Sequence, residues 1–380
     1  MSKNFIRTVW VAILLLSSSS GLAANAIAPS NYSIKFYANA GVGSMPVVKV
    51  PTTGKALPAS KFIRDGFRFA GWALNPNGVV KYKDKAVLKP KSKLTLFARW
   101  TSTVPTPELL NYTVGKLLWS ESFSGPAQSK VSNSNWTTRY CGHSAANGGG
   151  SCFGESQYYT PDAIALDGSE QGNAVITTKR VSRAPANSGP CLAVPCRFVS
   201  GRFDTQGKVS FKYGYIEARI KMPAGGTNWP AFWALGDSIT DVGWPLSGEI
   251  DIAEQGGDRP TRNSSAVHYS NQEIATCCDN HRYVMGEILD EANYQSDFHT
   301  YGIAWTPDLM QFYVDHELFW TVYPGNVGEH HWVFNEPFFL ILNNATGPFG
   351  GDYTGWQTSE TKIDYVRAWQ LDGQGTVIRH

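Results

Sequence analysis

The sequence predicts an all-β fold, in which a two-sheet sandwich follows a smaller β-rich module. Short apolar or alternating runs recur between turn residues from residue 117 to residue 370. The chain contains 37 glycines and 21 prolines, which are typical of many short strands joined by turns. Thirteen tryptophans and 17 tyrosines, against 17% charged residues, indicate a rigid globular protein and not a disordered chain.

The strands of the predicted sandwich are assigned from these runs. They cover residues 174–178, 213–221, 231–235, 249–252, 299–305, 310–314, 338–342 and 362–369. Few segments have helical periodicity, which argues against a barrel of alternating strands and helices.

The first 28 residues have the pattern of a secretory signal peptide. Lys3 and Arg7 give a basic start, residues 9–16 are apolar, and Ala24 and Ala26 form a small-x-small cleavage site. A permanent anchor is the alternative, but eight apolar residues cannot cross roughly 30 Å of hydrocarbon. We therefore expect a protein that is secreted or associated with the cell surface, with no membrane contact after cleavage.

The six cysteines all lie after residue 140. An even number of cysteines in an exported chain predicts disulfides. The spacings favour the local pairs Cys141–Cys152 and Cys191–Cys196, which leave Cys277 and Cys278 to form a vicinal bridge, to stay free or to cross-pair. A zinc site is disfavoured because the chain has no CxxC motif and no pair of histidines at zinc-ligand spacing.

The charge distribution divides the chain into two parts. Residues 31–101 carry 13 basic and 2 acidic side chains, whereas residues 102–380 carry 18 basic and 29 acidic side chains. Segments of opposite charge indicate separate modules. We predict an N-terminal module over 31–101, a short stiff linker over 102–111 with Pro105 and Pro107, and a large domain over 112–372.

The N-terminal module resembles a known repeat. Residues 34–43, 67–72 and 94–100 resemble the Listeria–Bacteroides (internalin B-type) repeat, a β-grasp-like module of bacterial surface and secreted proteins. The resemblance assigns no chemistry. The basic excess favours either docking to cell wall or acidic polysaccharide or a plain solvated spacer. Nucleic acid is not an expected partner, because the chain has no recognisable motif for it.

Three acidic residues follow one another on a predicted strand. Glu249 and Asp251 lie on one face, whereas Ile250 and Ile252 point to the other face and into the core. Strict alternation would bury Glu254 without a partner, which is costly. A β-bulge near residues 252–253 would return Glu254 to the face of the other two acids.

A trio of acids on one face suits glycoside hydrolysis. Two carboxyl groups do the chemistry, one as nucleophile and one as proton donor. We assign Glu249 as the nucleophile and Glu254 as the acid/base, with Asp251 between them to separate their pKa values. The alternative is a solvated acidic strand without catalytic function.

The same stretch resembles a family signature. Residues 248–254 are similar to the bulged E-x-D-x-x-E motif of glycoside hydrolase family 16. Further similarities to that family run through residues 118–123, 157–160, 200–203, 212–220, 267–269, 298–307, 338–343 and 364–367. The resemblance implies a concanavalin-like jelly roll and retaining cleavage of a β-glycan. By position it implies that substrate is contacted by Arg202, Trp229, Trp233, Trp244, His268 and Asn343, each of which has a packing role as its alternative.

The substrate class follows from the same resemblance. Residues 229–233 look most like members that act on β-1,3-glucan, so we expect an endo-β-1,3-glucanase of laminarin type that also accepts mixed-linkage glucan. Residues 344–349 and 140–156 depart from that group at expected substrate loops. The alternatives are a hydrolase or transglycosylase acting on a galactan, and a non-catalytic glucan-binding surface protein, which retention of both glutamates disfavours.

No cofactor is required by this chemistry. Many members of the family carry a structural calcium ion, and the resemblance places Asp364 among its ligands. The opening strand reads Glu121-Ser122 where the family usually has Asp-Glu.

Overall fold

The computed structural model describes residues 31–140, 155–170, 172–182, 197–271, 280–328, 332–351 and 354–380. The predicted signal peptide and all six cysteines lie outside these ranges. Signal cleavage and disulfide pairing therefore stay predictions. No helix in the described ranges is long and apolar enough to cross a membrane.

The N-terminal module is built from six short strands. They are β1 (Asn31–Tyr37), β2 (Val48–Pro51), β3 (Lys55–Ala56), β4 (Phe67–Ala73), β5 (Val87–Leu88) and β6 (Leu94–Ser102). Four of them form a sheet in the order β2-β1-β6-β4, and β3 pairs with β5. The fully buried Trp72 holds this small core together, with ring centroids 4.9 Å from Phe36 and 4.8 Å from Phe69.

The remainder of the described chain is almost entirely strand. The strands are β7 (Val114–Glu121), β8 (Thr137–Thr138), β9 (Gln157–Tyr159), β10 (Ile164–Leu166), β11 (Ala174–Arg180), β12 (Phe198–Ser200), β13 (Arg202–Asp204), β14 (Val209–Lys212), β15 (Gly214–Lys221), β16 (Asn228–Gly236), β17 (Glu249–Glu254), β18 (Arg262–Ser270), β19 (His281–Leu289), β20 (His299–Trp305), β21 (Met310–Val314), β22 (Glu317–Val322), β23 (Phe338–Thr346), β24 (Thr358–Leu371) and β25 (Thr376–Arg379). Two four-residue helices, α1 (Ile239–Val242) and α2 (Pro324–Val327), and two 3-10 turns, Pro161–Ala163 and Pro348–Gly350, lie between them.

These strands form two sheets, which confirms the predicted all-β sandwich. The back sheet runs β22-β21-β20-β15-β24-β11-β12-β9, with β7 added on β24 and β10 on β11. The front sheet runs β19-β18-β17-β16-β23-β13-β8, with β14 on β23 and β25 on β14. Apolar side chains from both sheets fill the space between them, among them Ile216 and Ile303 from the back and Ile250 and Ile252 from the front.

The last strand extends the large domain beyond the predicted boundary at residue 372. β25 pairs with β14 from Val209↔Arg379 to Lys212↔Thr376. Residues 376–379 join the sheet only by pairing with β14, which is more than 160 positions earlier in the chain. The local sequence pattern therefore does not show that the domain continues past residue 372.

The N-terminal module contacts the large domain at β7. Arg64 Nη2 donates to the carbonyl oxygen of Leu118 at 2.8 Å. The carboxylate of Asp65 accepts a hydrogen bond from Ser120 Oγ at 2.6 Å and another from Ser122 Oγ. One turn of the module is thus hydrogen-bonded along the opening strand of the sandwich.

The predicted linker is also packed against the large domain. Val104 and Leu109 of this segment, and Tyr112 directly after it, join an apolar cluster that contains Tyr215 and Trp369 of the back sheet. Only 8% of Leu109 is exposed. The segment is therefore a packed connection and not a free spacer.

Candidate active site

The three acidic residues lie on β17, in the middle of the front sheet. β17 pairs with β16 on one side and with β18 on the other. On β16, Phe232 lies opposite Ala253 and Trp233 opposite Asp251, so that Ile252 is the extra residue of a bulge. The pairing with β18 shifts at the same place, between Asp251 and Glu254. The structure therefore confirms the predicted bulge.

The bulge separates apolar from acidic side chains. Ile250 and Ile252 are each 2% exposed and belong to the core between the sheets. Glu249 and Glu254 are half-buried, and Asp251 is 3% exposed. Without the extra residue, one glutamate would have to enter the apolar core.

An indole N–H orients each glutamate. Trp244 Nε1 donates to Glu249 Oε2 at 2.7 Å, and Trp229 Nε1 donates to Glu254 Oε1 at 2.7 Å. Both tryptophans are half-buried. Each therefore fixes one carboxyl group while part of its ring faces the open side of the sheet.

The central acid contacts a pair of histidines. His268 on β18 is the register partner of Glu249, and its Nε2 lies 2.8 Å from Asp251 Oδ2. Its Nδ1 lies 2.7 Å from Nε2 of His281 on β19. The two imidazole rings are stacked, with centroids 4.9 Å apart and an interplanar angle of 13°.

Burial and mutual repulsion raise the pKa of all three carboxyl groups. Burial, and then the charge of Asp251, raise the pKa of Glu249 to about 8, against the effects of His268 and the Trp244 N–H. Burial, and then Glu254, raise the pKa of Asp251 well above its usual range. Burial also raises the pKa of Glu254, although the Trp229 N–H opposes the shift.

These shifts make the trio hold protons near neutral pH. Glu249 and Asp251 are hydrogen-bond neighbours, and the contact with Glu249 opposes the rise in the pKa of Asp251. Because the pKa of Glu249 is about 8, the reactive form at neutral pH is the fraction in which Glu249 has lost its proton while Glu254 keeps its own. This distribution supplies one carboxylate and one carboxylic acid, as acid-assisted displacement requires.

Two neighbouring strands add polar groups to the same sheet. Trp233 Nε1 donates to Asn343 Oδ1 at 2.6 Å, and Asn343 Nδ2 donates to the hydroxyl of Tyr159 at 3.0 Å. The guanidinium carbon of Arg202 lies 4.9 Å from the Trp233 ring centroid. Arg202 is only 7% exposed, and its Nε has no hydrogen-bond partner within the described chain.

The structure thus brings all nine predicted catalytic and substrate-binding residues to the front sheet and the loop before β17. Three further residues were missed from the sequence: His281, Tyr159 and Glu155. Glu155 lies near enough to Glu254 to raise its pKa, and it interacts electrostatically with Arg202. Their proximity depends on pairing between distant strands, for which a single sequence gives no signal.

The surroundings of Asp364 do not fit a calcium site. Its carboxylate accepts a hydrogen bond from Arg219 Nη1 at 2.7 Å, so a cation already neutralises it. Glu121 of the opening strand points elsewhere and accepts from Asn135 and Trp136. In the described chain, the one group of three or more suitable ligands is Glu249, Asp251 and His268, which belongs to the acid trio.

Acid residues on a sheet lined with indoles define a class of protein. A carboxylate and a carboxylic acid on one face, flanked by half-buried aromatic rings, form the active-site arrangement of a glycoside hydrolase. The family model described as glycosyl hydrolases family 16 matches residues 165–367, and the Listeria–Bacteroides repeat domain matches residues 32–99. The chain belongs to glycosyl hydrolase family 16.

Relatives with known names support this assignment. A glucan endo-1,3-beta-glucosidase of Cryptopygus antarcticus is 31% identical over 266 residues, which are 66% of this chain and 90% of that protein. A beta-glucanase of Rhodothermus marinus is 30% identical over 271 residues, or 67% of this chain and 85% of that protein. The structure of an endo-beta-1,3-glucanase from Pyrococcus furiosus is 32% identical with a TM-score of 0.59, covering 70% of this chain and 99% of that one.

Proposed function

We propose that this protein hydrolyses internal bonds of β-1,3-glucan with retention of configuration, and that it also accepts mixed-linkage glucan. The observation that carries the proposal is the bulged strand β17, which places three raised-pKa acids on one face beneath indole rings. The names of the glucan-cleaving relatives support the choice of substrate.

The reaction proceeds in two displacements. Ionised Glu249 attacks the anomeric carbon while Glu254 gives its proton to the departing glycosidic oxygen, which leaves a glycosyl ester on Glu249. Glu254 then takes a proton from water, whose oxygen attacks the same carbon and releases Glu249. Each glutamate returns to its starting protonation state, and the cycle requires no cofactor.

Asp251 and His268 orient and stabilise the nucleophile without contacting the reacting carbon. When Asp251 carries a proton, its hydrogen bond to Glu249 stabilises the ionised nucleophile before attack and after release of the sugar. His268, 2.8 Å from the other side of Asp251, holds that carboxyl group in place. Both residues are positioning residues, since the sugar bonds to Glu249.

Half-buried tryptophans supply the surface for sugar rings. The indoles of Trp229, Trp233 and Trp244 use their N–H groups on Glu254, Asn343 and Glu249, which leaves ring surface for the apolar faces of glucose. Arg202 and Asn343 support this surface from below: the Arg202 guanidinium packs on the Trp233 ring, and Asn343 accepts from the Trp233 N–H.

We also propose that the protein acts outside the cell, either free or at the cell surface, where its N-terminal module binds wall material or polysaccharide. The basic, apolar and small-residue pattern of residues 1–28 supports export. The large basic excess of residues 31–101 supports a binding role for the module.

Product release from four polysaccharides tests the proposed activity: laminarin, barley mixed-linkage glucan, agarose and carrageenan. We expect oligosaccharides from laminarin and, more slowly, from barley glucan, with none from the Glu249→Gln variant. Cleavage of agarose or carrageenan in place of laminarin would overturn the substrate and keep the mechanism. Binding of laminarin without any cleavage would identify a glucan-binding protein instead.

A further inference from the structure

The N-terminal sheet has one face that is exposed along β1 and β2, while the loop after β4 packs over its far end at Gly71 and Arg99. Residues of β1 alternate between a buried side, with Ile34 and Phe36, and an exposed side, with Lys35 and Tyr37. The buried side forms the module's core. The exposed side, which we call the basic sheet face, consists of Lys35, Tyr37, Lys49, Arg68, Phe97 and Arg99.

Strand register places these side chains on one surface. β1 pairs with β6 with Lys35 opposite Thr95 and Tyr37 opposite Phe97, while Lys49 on β2 lies opposite Ser33. Neighbouring strands lie about 4.8 Å apart. Arg68 on β4 lies opposite Thr101 of β6, so the four strands carry these residues on one side of the sheet, about 14 Å across.

The basic sheet face has no internal neutralisation. None of its four strands contains Asp or Glu. The two acids of the module lie in loops, where Asp65 accepts from Ser120 and Ser122 and Asp84 accepts from the Ser60 amide. In the described chain no salt bridge involves any residue from 31 to 101.

An aromatic pair lies among these cations. The rings of Tyr37 and Phe97 are stacked with centroids 5.3 Å apart, and Tyr37 is 50% exposed. Exposed ring edges and faces accept the apolar faces of sugars, and the surrounding ammonium and guanidinium groups pair with carboxylate or sulfate. A solvated spacer needs no such aromatic surface.

We propose that the basic sheet face binds an acidic polysaccharide that carries carboxylate or sulfate groups. The acidic excess of residues 102–380 repels such a polymer, so the module supplies an attraction that the hydrolase domain lacks. This inference deepens the binding role proposed for the module, and it is independent of the glucanase activity.

Sedimentation with alginate and with carrageenan tests the inference, using the full chain with its active site intact. We expect binding to at least one polymer that weakens steeply as salt rises. The double variant Lys35→Glu/Lys49→Glu should bind at least about tenfold more weakly, and Tyr37→Ala should weaken binding even in high salt, where the charges are screened.

Matched variants distinguish binding by the basic sheet face from binding through the net charge of the module. Lys61→Glu/Lys83→Glu changes the net charge equally at exposed loop positions and should retain wild-type binding. Equal losses in both double variants, no binding to either polymer, or equal binding to double-stranded DNA would each overturn the proposal. Hydrolysis of soluble laminarin should stay unchanged in every variant, which keeps this test separate from that of the glucanase function.

Discussion

His268 Nδ1 lies 2.7 Å from His281 Nε2, while the other ring nitrogen of His268 faces Asp251 at 2.8 Å. Burial, followed by the charge of His268, lowers the pKa of His281, so His281 is neutral at neutral pH. A neutral imidazole has one donor and one acceptor nitrogen. Of the two facing nitrogens one donates and the other accepts, so the tautomers of His281 and His268 are linked, and His268 in turn contacts Asp251.

Replacing His281 with Phe should lower kcat by roughly 2- to 10-fold and leave KM unchanged. The variant keeps an aromatic ring beside His268 but loses one hydrogen bond, worth about 0.5–1.5 kcal/mol. The pH profile should change as well, because the proton on His268 is no longer fixed. Tyr283→Phe is the control, since Tyr283 only stacks on the two imidazoles among the contacts seen. Identical profiles for the two variants would remove His281 from the mechanism.

Two tryptophan substitutions should move opposite limbs of the pH profile of kcat/KM. Trp244→Phe removes a hydrogen bond that lowers the pKa of Glu249. The nucleophile then ionises at higher pH, and the acidic limb shifts to higher pH. Trp229→Phe removes the hydrogen bond that lowers the pKa of Glu254. The acid then keeps its proton to higher pH, and the alkaline limb shifts to higher pH. Each shift should be roughly one pH unit, since a hydrogen bond to a charged group contributes about 1.5 kcal/mol or more.

Trp233→Phe is the matched control for this pair, because Trp233 donates to Asn343 and not to a carboxyl group. Neither limb should move in that variant. If Trp244→Phe instead shifted the alkaline limb, the roles of Glu249 and Glu254 would have to be exchanged.

Azide should distinguish the two glutamates by stereochemistry. Removing either side chain with Glu249→Ala or Glu254→Ala should lower activity on laminarin by about 10³-fold or more. On an activated aryl glucoside substrate, azide entering the space left by Glu249 attacks in one displacement and gives the inverted glycosyl azide. In Glu254→Ala the ester on Glu249 still forms, so the azide product retains configuration. NMR of the product decides between them.

The acid trio should lower stability as pH rises. A carboxyl group whose pKa is raised on folding stabilises the folded state only while it stays protonated, so this contribution is lost as pH rises from about 4.5 towards 8 for Glu249. Glu249→Gln should therefore raise Tm at pH 8 by about 2–4 °C and much less at pH 5. Glu287→Gln, which removes an exposed partner of Arg262, should show no pH-dependent gain in a calorimetric scan.

Asp65 should control how firmly the N-terminal module is attached. Asp65→Ala removes the acceptor for Ser120 and Ser122, and hydrogen bonds to charged groups contribute about 1.5–3 kcal/mol each. Protease should then cut residues 102–111 several-fold faster, with little effect on laminarin hydrolysis. Asp84→Asn, on the other acid of the module, should leave the cutting rate at the wild-type value.

The acid strand shows what could be predicted from the sequence. Strict alternation would have put Glu254 into the core, so physical cost alone predicts the bulge that the structure contains at Ile252. The signature and its flanking tryptophans are local in the chain, which is why the trio and its indole partners were predictable. Their roles in catalysis stay predictions until the variants are measured.

Distant pairings were not predictable in the same way. His281 reaches His268 because β19 lies beside β18, and Asp65 reaches Ser120 across 55 positions of sequence. Strand β24 extends over Thr358–Leu371, well beyond its predicted apolar run, because its neighbours in the back sheet continue the ladder. Such contacts depend on which strands become neighbours, and a single sequence does not specify that.

The attachment of the module to β7 also determines where mechanical load would enter the protein. β7 is paired to β24 from Val366↔Glu121 to Leu371↔Val114, within the back sheet. Flow that drags on a molecule held by its N-terminal module would pull on Arg64 and Asp65, and then on this back ladder. The strand that carries Glu249 lies in the opposite sheet, so that load would not pass along the strand that holds the reacting groups.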